Sequence, residues 1–396
     1  MRNFDAIVIG AGASGIVAAI SAKRKGMSVL LCEKMPQIGK KILASGSGRC
    51  NLSNDKITSS FYNPAARRLT DAVFAKFSGK DIVKFFRDIG LEVYSDNGRI
   101  FPVTNQSASV LKILEMELTR LSVPVEVNCE ITGIAYKDGA FTISPKKGEK
   151  RQCRKVILTG GGKAYPAFGS DGTSYKFAKQ FGHRIIEPVP SAVPLVVKDE
   201  ACHLLQGQRI SAKARSIVDG KIKSEAAGDV LFTKYGLSGT AVLDISEDIS
   251  IALNREHNKD VAVSIDMIPF MEDSNLRNEI EKRFNDVVSQ KAVLFGLLPN
   301  KFDQALKNML GVKDIATIVG SLKDRRFKVS GTRGWNEAEF TAGGVDVGDV
   351  NEATLESKLR KGLYFAGEIL DVNGKRGGYN LAWAWASGFV AGAGAV

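Results

Sequence analysis

The first residues of the chain alternate between short apolar runs and a helical pattern. "FDAIVI", residues 4–9, is almost continuously apolar and stops at a glycine, which is typical of a strand buried on both faces of a parallel sheet. "ASGIVAAISAKRKG", which ends at Gly26, has the pattern of a helix, and "SVLLCE", residues 28–33, has that of a second strand. The chain therefore begins with a predicted βαβ unit, the building block of doubly wound α/β folds.

Further along, helical and strand patterns occupy separate segments. Three helices are predicted near 65–77, 79–89 and 107–121, and a hairpin that turns at Asp138-Gly139 follows them. "RKVILTGGG" and "KGLYFAGE" have the buried-strand pattern again. Between these two strands, the pattern predicts strands and turns over 195–250, with a second Asp-Gly turn at Asp219-Gly220, short helices over 271–323, and strands again after 326.

A proline-rich segment interrupts the chain near its middle. "EPVPSAVPL", residues 187–195, contains Pro188, Pro190 and Pro194, and proline disrupts both helices and strand ladders. We therefore predict that the chain crosses between domains there. The length of 396 residues agrees with two or three domains.

Composition narrows the class of protein. The N-terminus has neither the apolar region nor the cleavage site of a signal peptide, and the pattern predicts no membrane span, so we expect a cytoplasmic protein. The five cysteines are widely spaced, with no C-x-x-C, and only three histidines are present. These numbers predict no disulfide framework, no redox-active dithiol and no metal site, and they favour an organic cofactor for any redox chemistry.

The net charge of +12 raises the question of a nucleic-acid partner. Basic clusters occur at 23–25, 146–155 and 323–328, but they are interleaved with acids and lack the aromatic residues on which bases stack. The pattern favours a solvated basic surface and a small-molecule substrate over a nucleic-acid groove.

The turn after the first strand carries a dinucleotide-binding motif. Gly10-Ala11-Gly12-Ala13-Ser14-Gly15 matches G-x-G-x-x-G between a strand and a helix, where the glycines allow a tight turn, the approach of a pyrophosphate and close packing of helix on strand. Glu33 ends the second strand, where a carboxylate binds ribose hydroxyls and repels a 2′-phosphate. This site predicts NAD or FAD and disfavours NADP.

Two further glycine-rich segments favour FAD over NAD. "GKKILASGSGRCNLSN", residues 39–54, offers hydroxyls, cations and backbone amides to a ligand that continues past the pyrophosphate, and "ILTGGGKAYPAFGSDG", 157–172, ends a strand in three glycines. At the C-terminus, "GEILDVNGKRGGYNLAWAWASG", 367–388, places acids and paired glycines before a helix of small residues. An acid there fits ribityl hydroxyls, and a helix N-terminus favours the charge gained on flavin reduction. The small residues predict that this helix packs against the first one.

These segments resemble one family along essentially the whole chain. "IVIGAGASG", "GKKILASGSGRCNLSN", "LTGGGKAYPAFGSDG", "LFTKYGLSGTAVLDIS", "FTAGGVDV" and "GLYFAGEILDVNGKRGGYNLAWAWASG" are similar to the bacterial NAD(P)/FAD-dependent oxidoreductases that include aminoacetone oxidase and 3-dehydro-bile-acid reductases. Two blocks depart from the family pattern: "GLSGPA" is "GLSGTA", with Thr240, and "ATGG" is "TGGG".

The resemblance implies a fold and a set of cofactor contacts. The fold is an α/β Rossmann-like FAD-binding domain, formed by 1–190 and 335–396, with an inserted β-barrel-like domain, 191–255 and 324–334, and a small helical domain, 256–323. The implied FAD contacts are Gly10, Gly12, Ala13, Ser14, Gly15, Glu33, Lys34, Lys41, Ser47, Gly48, Arg49, Cys50, Asn51, Ile131, Thr159, Gly160, Gly161, Gly367, Glu368, Asp371, Gly378, Tyr379, Asn380 and Leu381.

The functional hypothesis is hydride transfer between flavin and a small organic substrate. A reductase would take electrons from a transiently bound NADH or NADPH and saturate an activated C=C bond, whereas an oxidase of the aminoacetone type would pass electrons from an amine to oxygen. An FAD-carrying nucleic-acid-binding or modifying factor is the alternative from another class. The candidate catalytic residues are Arg49, Cys50, Tyr165, Asn373 and Arg376, although Cys50 has no nearby histidine and fits a packing role better.

Overall fold

The apolar run at the N-terminus forms the middle of a seven-stranded sheet in the computed structural model, which describes residues 2–289, 292–311 and 314–395. The chain divides into two units. The first runs to Pro188 and resumes at Phe340, and the second is Val189–Glu339.

Strands and α-helices follow one another along both units. Up to the unit boundary they are β1 (Arg2–Ile9), α1 (Ala13–Arg24), β2 (Val29–Cys32), α2 (Lys40–Ala44), β3 (Ser53–Asn54), α3 (Arg67–Lys76), α4 (Gly79–Asp88), β4 (Val93–Asp96), β5 (Arg99–Pro102), α5 (Ser107–Arg120), β6 (Val125–Glu126), β7 (Ile131–Lys137), β8 (Ala140–Pro145), β9 (Arg151–Leu158), α6 (Tyr175–Gln180) and β10 (Ile185–Ser191). From there they are β11 (Leu195–Val197), α7 (Glu200–Leu204), β12 (Arg209–Val218), β13 (Lys221–Thr233), β14 (Gly236–Ser238), α8 (Thr240–Ser250), β15 (Val261–Asp266), α9 (Asp273–Asn285), α10 (Lys301–Ala305), α11 (Lys307–Gly311), α12 (Ile315–Lys323), β16 (Arg325–Thr332), β17 (Phe340–Val345), β18 (Leu363–Phe365) and α13 (Tyr379–Gly394).

The main sheet of the first unit confirms the predicted βαβ start. Its strand order is β6-β2-β1-β9-β8-β7, and β18 joins the second half of β9. β1 is parallel to β2 and β9, with Ile9 opposite both Cys32 and Leu158, and Phe365 of β18 also lies opposite Leu158. Because these four strands are parallel, the loops that follow them leave from the same edge of the sheet. The predicted helices appear as α3, α4 and α5.

Both predicted Asp-Gly turns form hairpins. Asp138 and Gly139 have φ values of 51° and 80° between β7 and β8, and Asp219 and Gly220 have 51° and 70° between β12 and β13. Positive φ at both central residues matches the right-handed twist of the strands, and asparagine, aspartate and glycine tolerate it best.

The prediction that the prolines break the strand ladder was wrong for β10. This strand contains Pro188 and Pro190 and pairs with β17 in a two-stranded sheet. A strand with one partner can contain proline because half of its N–H groups point away from the ladder. The boundary between the two units nevertheless lies at Pro188, inside the proline-rich segment.

The second unit contains the predicted β-barrel. Its described residues form a closed barrel in the order β11-β14-β13-β12-β15-β16, with antiparallel pairing. Two elements were not predicted. β15 lies before the helices predicted over 271–323, within the range that the resemblance assigns to the helical domain, and it pairs with both β12 and β16 and so closes the barrel. α8 is a helix within 195–250, which was predicted to be mainly strand and turn, and its Thr240 Oγ1 accepts a hydrogen bond from the Asp229 amide at 2.9 Å.

Helices α9 to α12 share an apolar core with this barrel. Leu276, Ile280, Phe302 and Ile318 from the helices are fully buried in the same cluster as Phe327 of β16. Residues 189–339 thus make up one unit, and a separate helical domain stays a prediction. Among the described residues, helices that combine the length and the apolar character needed to cross a membrane are absent.

Helices α1 and α13 pack closely, as the small residues predicted. A Cβ on Gly388 would lie 2.3 Å from the Ser14 carbonyl oxygen, and one on Gly392 would lie 2.3 Å from that of Ala18. Ser21 Oγ also donates a hydrogen bond to the Phe389 carbonyl at 2.8 Å. Glycine is therefore required at the crossing for the two backbones to approach.

We predict that Gly388→Ala destabilises the first unit. The added methyl group cannot be accommodated without separating the helices, and overpacking of this kind costs about 1 to 3 kcal/mol. Two of the three tryptophans, Trp383 and Trp385, lie on α13, so tryptophan fluorescence during urea unfolding reports this region. Gly320→Ala is the matched control, since a Cβ there meets no described atom within 4 Å and should slightly stabilise α12. Equal unfolding midpoints for the two variants would contradict the prediction.

Candidate functional site

Three glycine-rich turns meet at the carboxyl edge of the sheet. They follow β1, β9 and β18, and they contain Gly10, Gly160 and Gly367. A Cβ on Gly10, whose φ is +104°, would lie 2.6 Å from the Thr159 carbonyl oxygen, and one on Gly367 would lie 2.4 Å from Ser14 Oγ. The structure thus brings together the first, third and last of the predicted cofactor segments.

Within the first turn, the three motif glycines have different surroundings. A Cβ on Gly15 would lie 1.8 Å from the Gly10 carbonyl oxygen, so the space that a side chain would need there is occupied by the backbone of the same turn. A Cβ on Gly12 would meet none of the described atoms within 4 Å. Gly12 precedes α1 and has no side chain with which to cap its amides. The open space beside uncapped N–H groups fits an anion such as a pyrophosphate.

Glu33 lies next to this turn, as the spacing predicted. Its Oε2 accepts a hydrogen bond from the Ala11 amide at 2.7 Å, and its Oε1 accepts one from the Met35 amide at 2.9 Å. The carboxylate is about nine-tenths buried, and it can accept further hydrogen bonds from hydroxyl groups. Ile131, one of the predicted FAD contacts, begins β7 two residues after Cys129, whose amide donates to the Glu33 carbonyl at 2.8 Å.

Lys34 pairs with a different predicted segment. Its Nζ lies 2.8 Å from Asp171 Oδ2, in the "GSDG" loop that follows β9. Both side chains remain partly exposed, so the pair connects two loops at the edge of the site. Such a surface pair contributes little to stability.

Lys41 and Glu368, both predicted to contact FAD, pair with each other. Lys41 Nζ lies 2.5 Å from Glu368 Oε2, and Glu368 Oε1 accepts a hydrogen bond from the Thr341 amide at 2.8 Å. Asp371 is buried, and its Oδ1 accepts from the Gly343 amide at 3.0 Å. The two acids therefore fix β17 against the turn after β18.

The last helix begins beside the loop that carries "SGRCN". Gly378, with φ +98°, precedes α13, and a Cβ there would lie 2.3 Å from the Ser53 carbonyl oxygen. In the amide orientation that satisfies its neighbours, Asn51 accepts from the Gly378 amide at 3.1 Å. Asn380 exchanges two hydrogen bonds of 2.8 Å with the backbone of Gly374. The first amides of α13 follow a glycine and so lack a side-chain cap.

Cys50 sits in a strained part of this loop. Ser47 and Cys50 have φ values of 56° and 60°, which are unfavourable for residues other than glycine, asparagine and aspartate. Cys50 is fully buried, and burial raises the pKa of its thiol to about 12. The thiolate that a nucleophile requires is therefore scarce at neutral pH, which favours the packing role.

The remaining candidate catalytic residues have distinct surroundings. The exposed Arg49 places its guanidinium 4.5 Å from the centre of the Phe101 ring. Tyr165 has φ +57° and stacks on Phe168 with ring centres 5.5 Å apart. Asn373 is buried, and its backbone amide donates to Asn63 Oδ1 at 3.1 Å. Arg376 is half-buried and directly precedes the paired glycines.

Several supporting residues were not predicted from the sequence. Thr341 Oγ1 accepts from the amides of Lys163 and Ala164 at 2.8 and 3.2 Å, which holds the loop before Tyr165. Ser387 Oγ accepts from the Gly367 amide at 2.9 Å. Thr341 lies in "FTAGGVDV" and Ser387 in the small-residue helix, but no sequence pattern around either residue indicates that it accepts hydrogen bonds from a distant loop. These contacts involve residues far apart in the chain and appear only once the fold is known.

The comparisons with known proteins agree with this arrangement. Residues 4–394 match the family model described as "HI0933-like protein Rossmann domain". The chain is 36% identical over 404 residues to the 3-dehydro-bile acid delta(4,6)-reductase of Clostridium scindens, covering 97% of each chain. It is 30% identical over 401 residues to the ribosomal RNA dihydrouridine synthase of Escherichia coli, covering 98% of this chain and 96% of that protein.

Solved structures share the fold at low sequence identity. The 3-ketosteroid-delta4-(5alpha)-dehydrogenase of Rhodococcus jostii aligns with a TM-score of 0.51 and 14% identity, over 100% of this chain and 97% of the other. A flavocytochrome c3 fumarate reductase aligns with a TM-score of 0.51 and 15% identity, over 100% and 78%. The family match and the shared fold thus agree with the dinucleotide-binding turn and the sheet edge described above. The chain belongs to the HI0933-like family and is an FAD-dependent oxidoreductase.

Proposed function

We propose that FAD lies along the carboxyl edge of the first unit's sheet, from the β1–α1 turn to the start of α13. The open space at Gly12 and the uncapped amides of α1 fit the pyrophosphate, and Glu33 fits the adenosine ribose. The N-terminus of α13 fits the pyrimidine end of the ring, where reduction adds negative charge. We assign Lys41 and Glu368, two predicted contacts that pair with each other, to the middle of the cofactor.

We propose further that the protein reduces a C=C bond conjugated to a carbonyl group, with NADH or NADPH as the electron donor. When bound, FAD supplies a carrier for the two electrons that pass as hydride from the nicotinamide to the substrate. The β-carbon of the substrate receives the hydride, and its α-carbon receives a proton. The donor leaves as NAD⁺ or NADP⁺, so the overall reaction adds two hydrogens to the double bond.

The full-length similarity to a named bile-acid delta(4,6)-reductase carries this proposal. In a 3-dehydro (3-oxo) steroid, a C4=C5 double bond is conjugated to the carbonyl, which makes C5 electrophilic. In a uridine, C5=C6 is conjugated to the C4 carbonyl in the same way, and adding two hydrogens to it gives dihydrouridine. Both relatives' names are therefore compatible with one reaction type on different substrates.

The candidate catalytic residues Arg49, Arg376 and Tyr165 have different roles in such a reaction. A guanidinium stays protonated at neutral pH, so Arg49 or Arg376 can stabilise the carbonyl oxygen but cannot supply the proton. The phenol of Tyr165 can donate a proton, and the Thr341 contacts hold the loop that carries it. We therefore assign Tyr165 as the proton donor to the α-carbon.

A uracil base within RNA is the second candidate substrate, and the charge distribution favours it. The first unit contains 34 lysines and arginines against 22 aspartates and glutamates, whereas the second contains 21 of each. The whole net charge of +12 therefore belongs to the unit that binds the cofactor. A net positive charge on this unit would attract phosphates.

We expect Gly12→Ala to weaken FAD binding without unfolding the protein. The new methyl group enters the open space assigned to the pyrophosphate, and Gly12 has an ordinary negative φ of −78° that alanine tolerates. Titration of the apoprotein with FAD, followed by fluorescence quenching, should show a Kd raised at least about tenfold, the equivalent of 1.4 kcal/mol. Gly334→Ala, which also adds a methyl group to open space, is the control and should bind FAD normally. Normal affinity in both variants would exclude the assigned path.

Anaerobic visible spectra with NADH and then NADPH should show rapid bleaching of the flavin by one of them. The reduced protein should then be reoxidised by a 3-oxo-4-ene bile acid. Reoxidation by a uridine-containing RNA instead, at a rate that falls steeply with salt, would favour the second candidate. A flavin that stays oxidised with both nucleotides but bleaches with an amine such as aminoacetone would contradict the reductase proposal and identify an oxidase.

Tyr165→Phe should lower turnover and spare cofactor binding. Loss of a general acid lowers rates by about 10²- to 10⁴-fold. The defect should appear in the reoxidation of reduced protein by substrate and not in its reduction by NAD(P)H, because only the first step consumes the proton. Tyr94→Phe removes an equivalent hydroxyl, bonded to Asn105, and serves as the control. Unchanged reoxidation in Tyr165→Phe would exclude the tyrosine as the donor.

A further inference from the structure

Two cysteines and a glutamate lie together beside the acid assigned to the adenosine ribose. Cys32 ends β2 directly before Glu33, and Cys129 lies three residues beyond the end of β6. Sγ of Cys32, Sγ of Cys129 and a carboxylate oxygen of Glu126 all lie within 4.8 Å of one another. In the part of the chain that the structure describes, this is the one group of three such side chains so close together.

The backbone places the two cysteines within reach of a disulfide bond. Cys32 is opposite Glu126 in the parallel pairing of β2 with β6, and the Cys129 amide donates to the Glu33 carbonyl at 2.8 Å. The two backbones are therefore neighbours, and the two Sγ atoms already lie within 4.8 Å of each other. An S–S bond is about 2.05 Å long, so the sulfurs have to approach by less than about 3 Å to form one.

The surroundings give the two thiols different reactivity. The contact with the Cys32 thiol lowers the pKa of Cys129, and it outweighs the opposing effects of burial and of Glu126, whose Oε2 accepts a hydrogen bond from Cys129 Sγ at 3.6 Å. The contact with Cys129 and burial both raise the pKa of Cys32. Cys129 is partly exposed, whereas only 1% of Cys32 is exposed. A thiol with a lowered pKa next to a second cysteine is typical of oxidation-sensitive cysteine pairs.

Arg151 argues against a metal ion at this place. Its Nη2 lies 2.8 and 3.0 Å from the two carboxylate oxygens of Glu126, so this carboxylate is already held by a guanidinium. A zinc ion that took Glu126 as a ligand would compete with this strong Arg–carboxylate pair, and the cluster offers three protein ligands where a structural zinc site takes four.

We propose that Cys32 and Cys129 form a redox-active dithiol that a hydroperoxide closes to a disulfide. The Cys129 thiolate attacks the peroxide, the O–O bond breaks, and with hydrogen peroxide the departing hydroxide takes up a proton to become water. The Cys32 sulfur then attacks the resulting sulfenic acid, the S–S bond forms, and a second water leaves. In sum, the two thiols lose two hydrogens and one hydrogen peroxide becomes two waters. The disulfide joins the strand that carries Glu33 to the segment that leads into β7.

The proposed Cys32–Cys129 disulfide can be identified in the intact flavoprotein. Treatment with one equivalent of hydrogen peroxide, alkylation under denaturing conditions and peptide mapping without reductant should yield a linked Cys32–Cys129 peptide that dithiothreitol separates. Cys32→Ser and Cys129→Ser should each abolish it, whereas Cys202→Ala, a buried cysteine of the second unit, should leave it unchanged. Overoxidation of Cys129 while Cys32 remains alkylatable would overturn the proposal.

A second measurement tests the coupling of the two thiols. The rate of Cys129 alkylation by iodoacetamide against pH should shift to higher pH in Cys32→Ala, with a loss of about tenfold near neutrality for each pKa unit. Cys32→Ser keeps a hydrogen-bond donor and should restore most of the rate. An unchanged profile in Cys32→Ala would overturn the proposal, as would one equivalent of zinc in the purified protein that both cysteine variants lose.

Discussion

The close approach of α1 and α13 is the constraint on which the candidate site depends. Carbonyl oxygens of α1 lie where any Cβ on Gly388 or Gly392 would be, so the two helices, from opposite ends of the chain, touch through their backbones. This contact brings the turn after β18 against Ser14 at the start of α1. The site is consequently assembled from the two chain ends, and residues between them can form a separate unit without interrupting it.

The parallel strands at the centre of the sheet explain why the glycines recur. The loops after β1, β9 and β18 leave from one edge, and the space there is limited by the backbone of the neighbouring turn. Gly10 and Gly15 are close to other parts of the fold, whereas Gly12 faces open space. Gly10 and Gly15 are therefore needed for packing, whereas Gly12 leaves space for a ligand. Substitutions at the three glycines of the motif should consequently have different effects.

Sequence reasoning succeeded where the signal is local and failed where it depends on distant partners. The βαβ unit, the helices α3 to α5 and both Asp-Gly hairpins follow from periodicity and turn chemistry over a few residues. β15 and the proline-containing β10 were missed because their ladders depend on strands elsewhere in the chain. The contacts of Thr341 and Ser387, and the pairing of Lys41 with Glu368, join residues that no spacing rule relates.

The same limit applies to the cysteines. Five widely spaced cysteines with no C-x-x-C indicate isolated thiols, and four of the five are indeed buried. Parallel pairing of β2 with β6 nevertheless brings Cys32 against the segment that contains Cys129, whose amide donates a hydrogen bond to the Glu33 carbonyl. Sequence spacing excludes a local dithiol motif, but it carries no information about cysteines joined across neighbouring strands. The closeness of these two cysteines is therefore set by strand order, and it becomes visible only when the strand order is known.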